Sequence, residues 1–193
     1  MGLFDKFKKK SKLSIDEASS LVSALLYESS INGAQLMQDV ISENKKEMPE
    51  EVFWETVLEF QFLFLHITDR IAFGTMGNEK RSQFMDSLIE KISQHTIDNA
   101  YNQPSSSKTP RVEEILSGYF DQLNQRNVQY ANYQKLFPDG QESPLGTLFW
   151  EFGKILSSLV TGSESFFIVH ASNKFSYMVL KTINLKEIIE QIK

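Results

Sequence analysis

"EFQFLFLHITDRIAF", Glu59 to Phe73, is the stretch on which the fold turns. It is the most apolar segment of the chain, yet it holds His66, Asp69 and Arg70. A membrane helix needs roughly 20 mostly apolar residues. The uncharged run here spans only Phe60 to Thr68 and already includes Gln61 and His66, so no span is expected. On a helical projection of about 100° per residue, Glu55, Glu59, His66, Asp69 and Arg70 fall within roughly 100° of arc. Val57, Leu58, Phe60, Leu63, Phe64, Leu65, Ile67 and Ile71 fill the remainder. A helix apolar over most of its circumference belongs inside a bundle. The expectation is a central helix over 49–73 with one narrow polar stripe.

Helical spacing continues on both sides. Ser14 and Glu17 have capping-box spacing ahead of Ala18, Leu21, Val22, Leu25 and Leu26. Asn32-Gly33 predicts a break, followed by a short helix with Leu36, Met37, Val40 and Ile41. Pro49 suits the first turn of the central helix, and Gly74 and Gly77 suit its end. Asn78 is placed to cap a helix whose face is Phe84, Met85, Leu88, Ile89 and Ile92. The segment "NAYNQPSSSKTP", 99–110, reads as a loop joining two helical halves.

Beyond it, Val112, Leu116, Tyr119, Leu123, Arg126, Tyr130, Tyr133 and Phe137 recur in steps of four and three, the spacing of a helix-packing seam. "PDGQESP", 138–144, is a turn, with Ser143 as cap and Pro144 as first residue of the next helix, which Gly162-Ser163 ends. Residues 164–182 are rich in β-branched and aromatic side chains, but Ile168, Ala171, Phe175, Met178 and Val179 favour a helix. Asn184 and Glu187 are placed to cap a last short helix. Trp54 and Trp150 are expected in or near the core. The fold class is therefore all-α, an irregular bundle of about six to eight helices. A basic leader, 1–13, precedes a single domain over 14–193.

With 193 residues and 41% hydrophobic content, the chain can form a core without disulfide or metal. It has no cysteine, which excludes thiolate zinc sites, iron–sulfur clusters and cysteine nucleophiles. The net charge of −5 disfavours a general nucleic-acid binder. Residues 1–12 hold five lysines and one aspartate, a net of +4, leaving −9 on the remainder. No signal-peptide pattern is visible and Lys6 breaks the myristoylation pattern, so a cytoplasmic location is expected.

The polar stripe has two readings. The simpler is a solvent-facing strip with weak pairs four residues apart. The sharper is a ligand or metal site using Glu59, His66, Asp69 and Arg70, with Asp69 able to orient His66. The Glu-x-x-His motif of di-iron bundles is absent, because Leu63, Ile92 and Phe167 stand three before His66, His95 and His170. HExxH, P-loop, GxGxxG and Gly-x-Ser-x-Gly patterns are absent too. No catalytic residue and no cofactor is assigned.

Three surfaces are candidates for binding. Tyr119, Arg126, Tyr130 and Tyr133 form either a packing seam or a partner interface, and homodimerisation would satisfy both. Leu3, Phe4 and Phe7 with Lys8, Lys9 and Lys10 suit either a disordered leader or weak contact with an anionic membrane surface. His170, Lys174, Tyr177 and Lys181 share one helix face, which reads first as solvated and second as an anion strip.

"MGLFDKFKKK", 1–10, and "LHITDRIAFGTMGNEKRSQFMDSLIEKI", 65–92, resemble small all-helical bacterial proteins of unassigned function. The resemblance implies a bacterial, cytoplasmic, helical protein and carries no ligand or functional residue with it. The expected function is a non-enzymatic cytoplasmic binding or interaction protein, acting on a protein partner or a second copy. The alternatives are ligand or metal binding at the stripe and membrane attachment through the leader.

Overall fold

A computed structural model describes residues 12–43, 47–101, 112–138 and 143–193. Among them the chain forms seven α-helices: α1 Ile15–Ser42, α2 Glu50–Thr75, α3 Asn78–Thr96, α4 Val112–Tyr130, α5 Leu148–Thr161, α6 Phe166–Ile183 and α7 Leu185–Glu190. The all-α bundle expected from the periodicity is the fold. A single π-helical turn, Ile97–Tyr101, prolongs α3. It takes in the first residues assigned to the loop 99–110; residues 102–110 lie outside the described residues. So do 1–11 of the leader and 139–142 of the turn.

α2 is the central element. Its residues from Glu59 to Thr68 are all buried, ten in succession. Phe60 illustrates why: its ring packs edge-on to Phe152 of α5 and Phe175 of α6, with centroids 5.1 and 5.5 Å away. One core cluster joins residues from α1 to α7, so both helical halves share it.

The Ser14–Glu17 capping box is present, with Glu17 N–H donating to Ser14 Oγ at 3.2 Å and Ser14 N–H to Glu17 Oε2 at 2.8 Å. The break expected at Asn32-Gly33 does not occur; α1 runs through it. Gly33 has another purpose. A Cβ there would lie 2.7 Å from Phe60 Cε2, so the missing side chain lets α1 and α2 cross closely. Gly153 acts similarly in α5, where a Cβ would lie 3.0 Å from Val169 Cα of α6.

Three helix ends differ from expectation. Gly77, not Asn78, caps α3. Thr147, not Ser143, caps α5, its Oγ1 accepting from Trp150 N–H. The seam expected to reach Phe137 leaves the helix at Tyr130, because Asn132 folds its amide back onto the carbonyls of Val128 and Gln129. Gly162 ends α5 in the left-handed region (φ 72°), as its sequence context predicts. Residues 166–183 are helical, burying Ile168, Val169, Ser172 and Ser176 at helical spacing. Asn184, at φ 50°, turns the chain into α7. A short parallel bridge between Leu13 and Ile192 brings the start of the described chain beside its last residues.

Candidate functional site

The stripe on α2 is divided among several neighbours. Glu55 is exposed, as a solvated face would require. Glu59 and His66 are each only 8% exposed, so the solvent-facing reading fails for them. Both lie under α4. Arg126 grips the Glu59 carboxylate, with Nε 3.0 Å from Oε1 and 2.8 Å from Oε2, and Nη2 closing on Oε1 as well. Its Nη1 donates to Gln129 Oε1 at 2.9 Å. The hydrogen bonds to Glu59 raise the Arg126 pKa above its ordinary value. Tyr130, fully buried, points its hydroxyl at Glu59 Oε2 from 3.5 Å. Burial pushes its pKa well up, and the Glu59 charge adds to the effect.

His66 lies edge-on to Tyr130, ring centroids 5.6 Å apart, with Nδ1 3.3 Å from Asn127 Oδ1. With Nδ1 donating to that oxygen, Nε2 of the neutral ring is a buried acceptor with no donor among the described residues. Burial lowers the His66 pKa, against the opposing effect of the Asn127 hydrogen bond. A turn away, Gln61 donates to Thr96 Oγ1 at 2.9 Å and accepts from the Tyr119 hydroxyl at 3.2 Å. These bonds tie α2 to both α3 and α4.

Asp69 faces α3, where Arg81 meets it two-pronged at 2.7 and 2.6 Å. Arg70 donates to the backbone carbonyls of Tyr133 at 2.9 Å and Gln134 at 2.5 Å, fixing the segment that follows α4. The candidate ligands therefore do not converge. Among the described residues no group of three or more His, Asp or Glu is placed to hold a metal ion. Glu59 and Asp69 serve separate ion pairs, which is why the ligand set read from one helix face does not assemble.

The candidate interface of Tyr119, Arg126, Tyr130 and Tyr133 is likewise corrected. Tyr119 and Tyr130 are core residues, Arg126 is turned inward, and Tyr133 packs partly buried against the core. These residues form the intramolecular seam that holds α4. Sequence reasoning missed Asn127 and Arg81 as partners of the stripe, and Arg126 as the partner of Glu59. A signal for the last existed: a charged residue, Arg126, at a seam position implies a buried counter-charge opposite.

Exposed large apolar side chains occur at Phe73, Phe120, Val128, Phe137 and Leu145, and α6 carries four more. Phe166, Phe167, Tyr177 and Met178 are exposed, Phe167 by 77%. His170, Lys174 and Lys181 are exposed with them. The four residues His170, Lys174, Tyr177 and Lys181 thus share a solvent face as their spacing predicts. The His170 ring stacks on Phe166 with an interplanar angle of 11°. α6 has no Asp or Glu anywhere in its 18 residues. Beside its C-terminal end a cavity of about 330 Å³ opens between the second half of α2, the start of α7 and the pair Leu136–Phe137.

The leader residues Leu3, Phe4, Phe7, Lys8, Lys9 and Lys10 lie outside the described residues. No described helix is long and apolar enough to cross a membrane. Comparison with protein-family models, with curated proteins and with solved structures finds no match to this chain.

Proposed function

We propose that the chain is a non-catalytic cytoplasmic binding protein that docks an acidic, partly apolar protein partner on α6. The observation that carries this reading is the outer face of α6: four exposed large apolar side chains interleaved with His170, Lys174 and Lys181, and no carboxylate. Exposed aromatic side chains beside cations are the residue types favoured in interfaces. On a chain of net charge −5, such a face steers toward negative partners. The buried polar groups of α2 support a binding rather than a catalytic role, because each ion pair there ties one helix to another.

The test is photo-crosslinking in the host cell from a benzoyl-phenylalanine placed at Phe167 or Met178, with Val128 on α4 as control. Val128 is 74% exposed and lies outside the proposed face. A discrete adduct from both α6 positions, lost on Lys174→Glu and absent at Val128, supports the reading. Equal labelling from Val128, or none from α6, refutes it.

A second reading, attachment to an anionic lipid surface, draws on one observation. Leu13, where the basic leader joins the described chain, is bridged to Ile192 just past α7. Lys193 N–H donates to the Leu13 carbonyl, so the leader, of charge +4, joins the chain next to a further lysine. Co-sedimentation with vesicles of phosphatidylcholine and phosphatidylserine, with and without residues 1–12, distinguishes it from the protein-partner reading.

A further inference from the structure

We infer that the cavity at the junction of α6 and α7 is a binding site for a single-tailed anionic amphiphile, a medium-chain carboxylate. Its floor is aliphatic, with Ile67 and Ile71 from α2, Leu180 from α6 and Leu185 from α7. Its rim carries Lys181 and Lys186. A volume near 330 Å³ is at the lower end of the roughly 300–1,000 Å³ that small-molecule sites span. The site is open on one side, so a head group can remain in water while a tail is covered.

The outer wall is fixed in place before any ligand arrives. Arg70 holds the carbonyls of Tyr133 and Gln134. Leu148 N–H and Phe149 N–H then donate to the carbonyls of Lys135 and Leu136 at 2.9 and 3.0 Å. Phe137 follows directly, stacked on Phe149 and edge-on to Tyr177 at 5.4 Å. Such preorganisation spares a ligand the cost of ordering its own site.

The polarity of the site selects among occupants. A peptide strand would bring backbone N–H and C=O groups against aliphatic walls that offer them few partners. An alkyl tail has none to satisfy. Charge selects the head group. Lys181 has no ion pair among the described residues, and Lys186 meets Glu190 only at 3.8 Å on the exposed surface. The nearby Glu187 is engaged by the Asn184 amide at 2.5 Å. Among the described residues no carboxylate lines the cavity. An anion at the rim therefore meets two lysines, whereas a cation would be repelled.

This inference does not rest on the protein-partner reading of α6, and the experiment keeps the two apart. Titration calorimetry of the full chain with sodium octanoate and with octylammonium chloride, both below their micelle concentrations, is compared with the Lys181→Glu/Lys186→Glu variant. Both substituted residues are at the surface, so the fold, checked by circular dichroism, is retained. Wild type should bind one equivalent of octanoate and prefer it over octylammonium by about tenfold. The variant should lose that preference or invert it. A Phe167→Ser/Lys174→Glu variant, which removes the proposed partner face, should bind octanoate as wild type does. Absence of saturable octanoate binding, equal binding of both amphiphiles by wild type, or an unchanged preference in the double-glutamate variant would overturn the inference.

Discussion

Replacing Arg126 by alanine tests whether α4 is held by a buried charge pair. The Arg126 side chain is 29% exposed and that of Glu59 10%. Removing one partner of a buried pair costs about 3–5 kcal/mol, because the other charge is left desolvated. Water reaching the guanidinium side here reduces that, and we expect Arg126→Ala to destabilise by about 2–3 kcal/mol. The second substitution carries the logic. Adding Glu59→Gln to Arg126→Ala removes the orphaned charge, and the amide oxygen can still accept from the Tyr130 hydroxyl. The double variant should therefore be about 1–2 kcal/mol more stable than Arg126→Ala alone. Urea titration followed by far-ultraviolet circular dichroism measures both, and amide hydrogen exchange should place the largest increase in α4. A cost below about 0.5 kcal/mol for Arg126→Ala would mean that the pair behaves as a surface contact. A double variant no more stable than the single one would mean that the penalty is lost packing and not a stranded charge.

His66 makes stability depend on pH, because its pKa is lowered by burial while the unfolded side chain keeps its ordinary value near 6.5. The unfolded chain takes up the proton first, so this contribution is complete above pH 6.5 and is lost as pH falls toward the lowered folded value. The urea midpoint should drop between pH 7.5 and 5, and His66→Phe should flatten that slope; parallel slopes would remove His66 as the cause. Gly33→Ala and Gly118→Ala should have opposite signs. At Gly33 the new Cβ would meet the Phe60 ring, and overpacking costs about 1–3 kcal/mol. At Gly118, within α4, nothing lies within 4 Å, and helix propensity should stabilise by about 0.5–1 kcal/mol. Thermal melts of the two variants decide this, and the same sign for both would contradict the helix-crossing role of Gly33. Arg70→Ala should raise hydrogen exchange at residues 133–137 and weaken octanoate binding while leaving α1 protected; unchanged exchange there would show that the cavity wall does not depend on Arg70.

The helix content was legible because periodicity is a local property. α2 is readable from Phe60, Leu63, Phe64 and Ile67 alone, and α6 from Ile168, Ala171 and Phe175 despite their β-favouring neighbours. Gly33 was misread because a glycine in a helical pattern has two explanations, a break or a close crossing. Only the position of Phe60, 27 residues away, separates them. The ends of α3 and α5 slipped by one to four residues for a related reason, since Ser143, Thr147, Gly77 and Asn78 are all competent caps.

The polar stripe failed in a more instructive way. A helical projection gives the direction in which Glu59 and His66 point, but not what stands there. Water, a metal with other ligands, and a second helix carrying polar residues all satisfy the same angular pattern. The missing constraint lay in α4, where Arg126, Asn127 and Tyr130 repeat as a polar interruption of an otherwise apolar seam. Each helix alone looks as though it has a functional face. Placed together, the acid of one meets the base of the other, and both faces are consumed. Net charge could not reveal this, because a matched pair adds nothing to it. The α6 face differs on that count: three cationic or titratable side chains stand among exposed aromatic residues with no acid in the same helix to answer them. Among the described residues Arg126 of α4 meets Glu59 of α2, and Arg81 of α3 meets Asp69 of α2. Lys174 and Lys181 meet no acid among the described residues, and a partner or ligand that supplies an acid there would complete them.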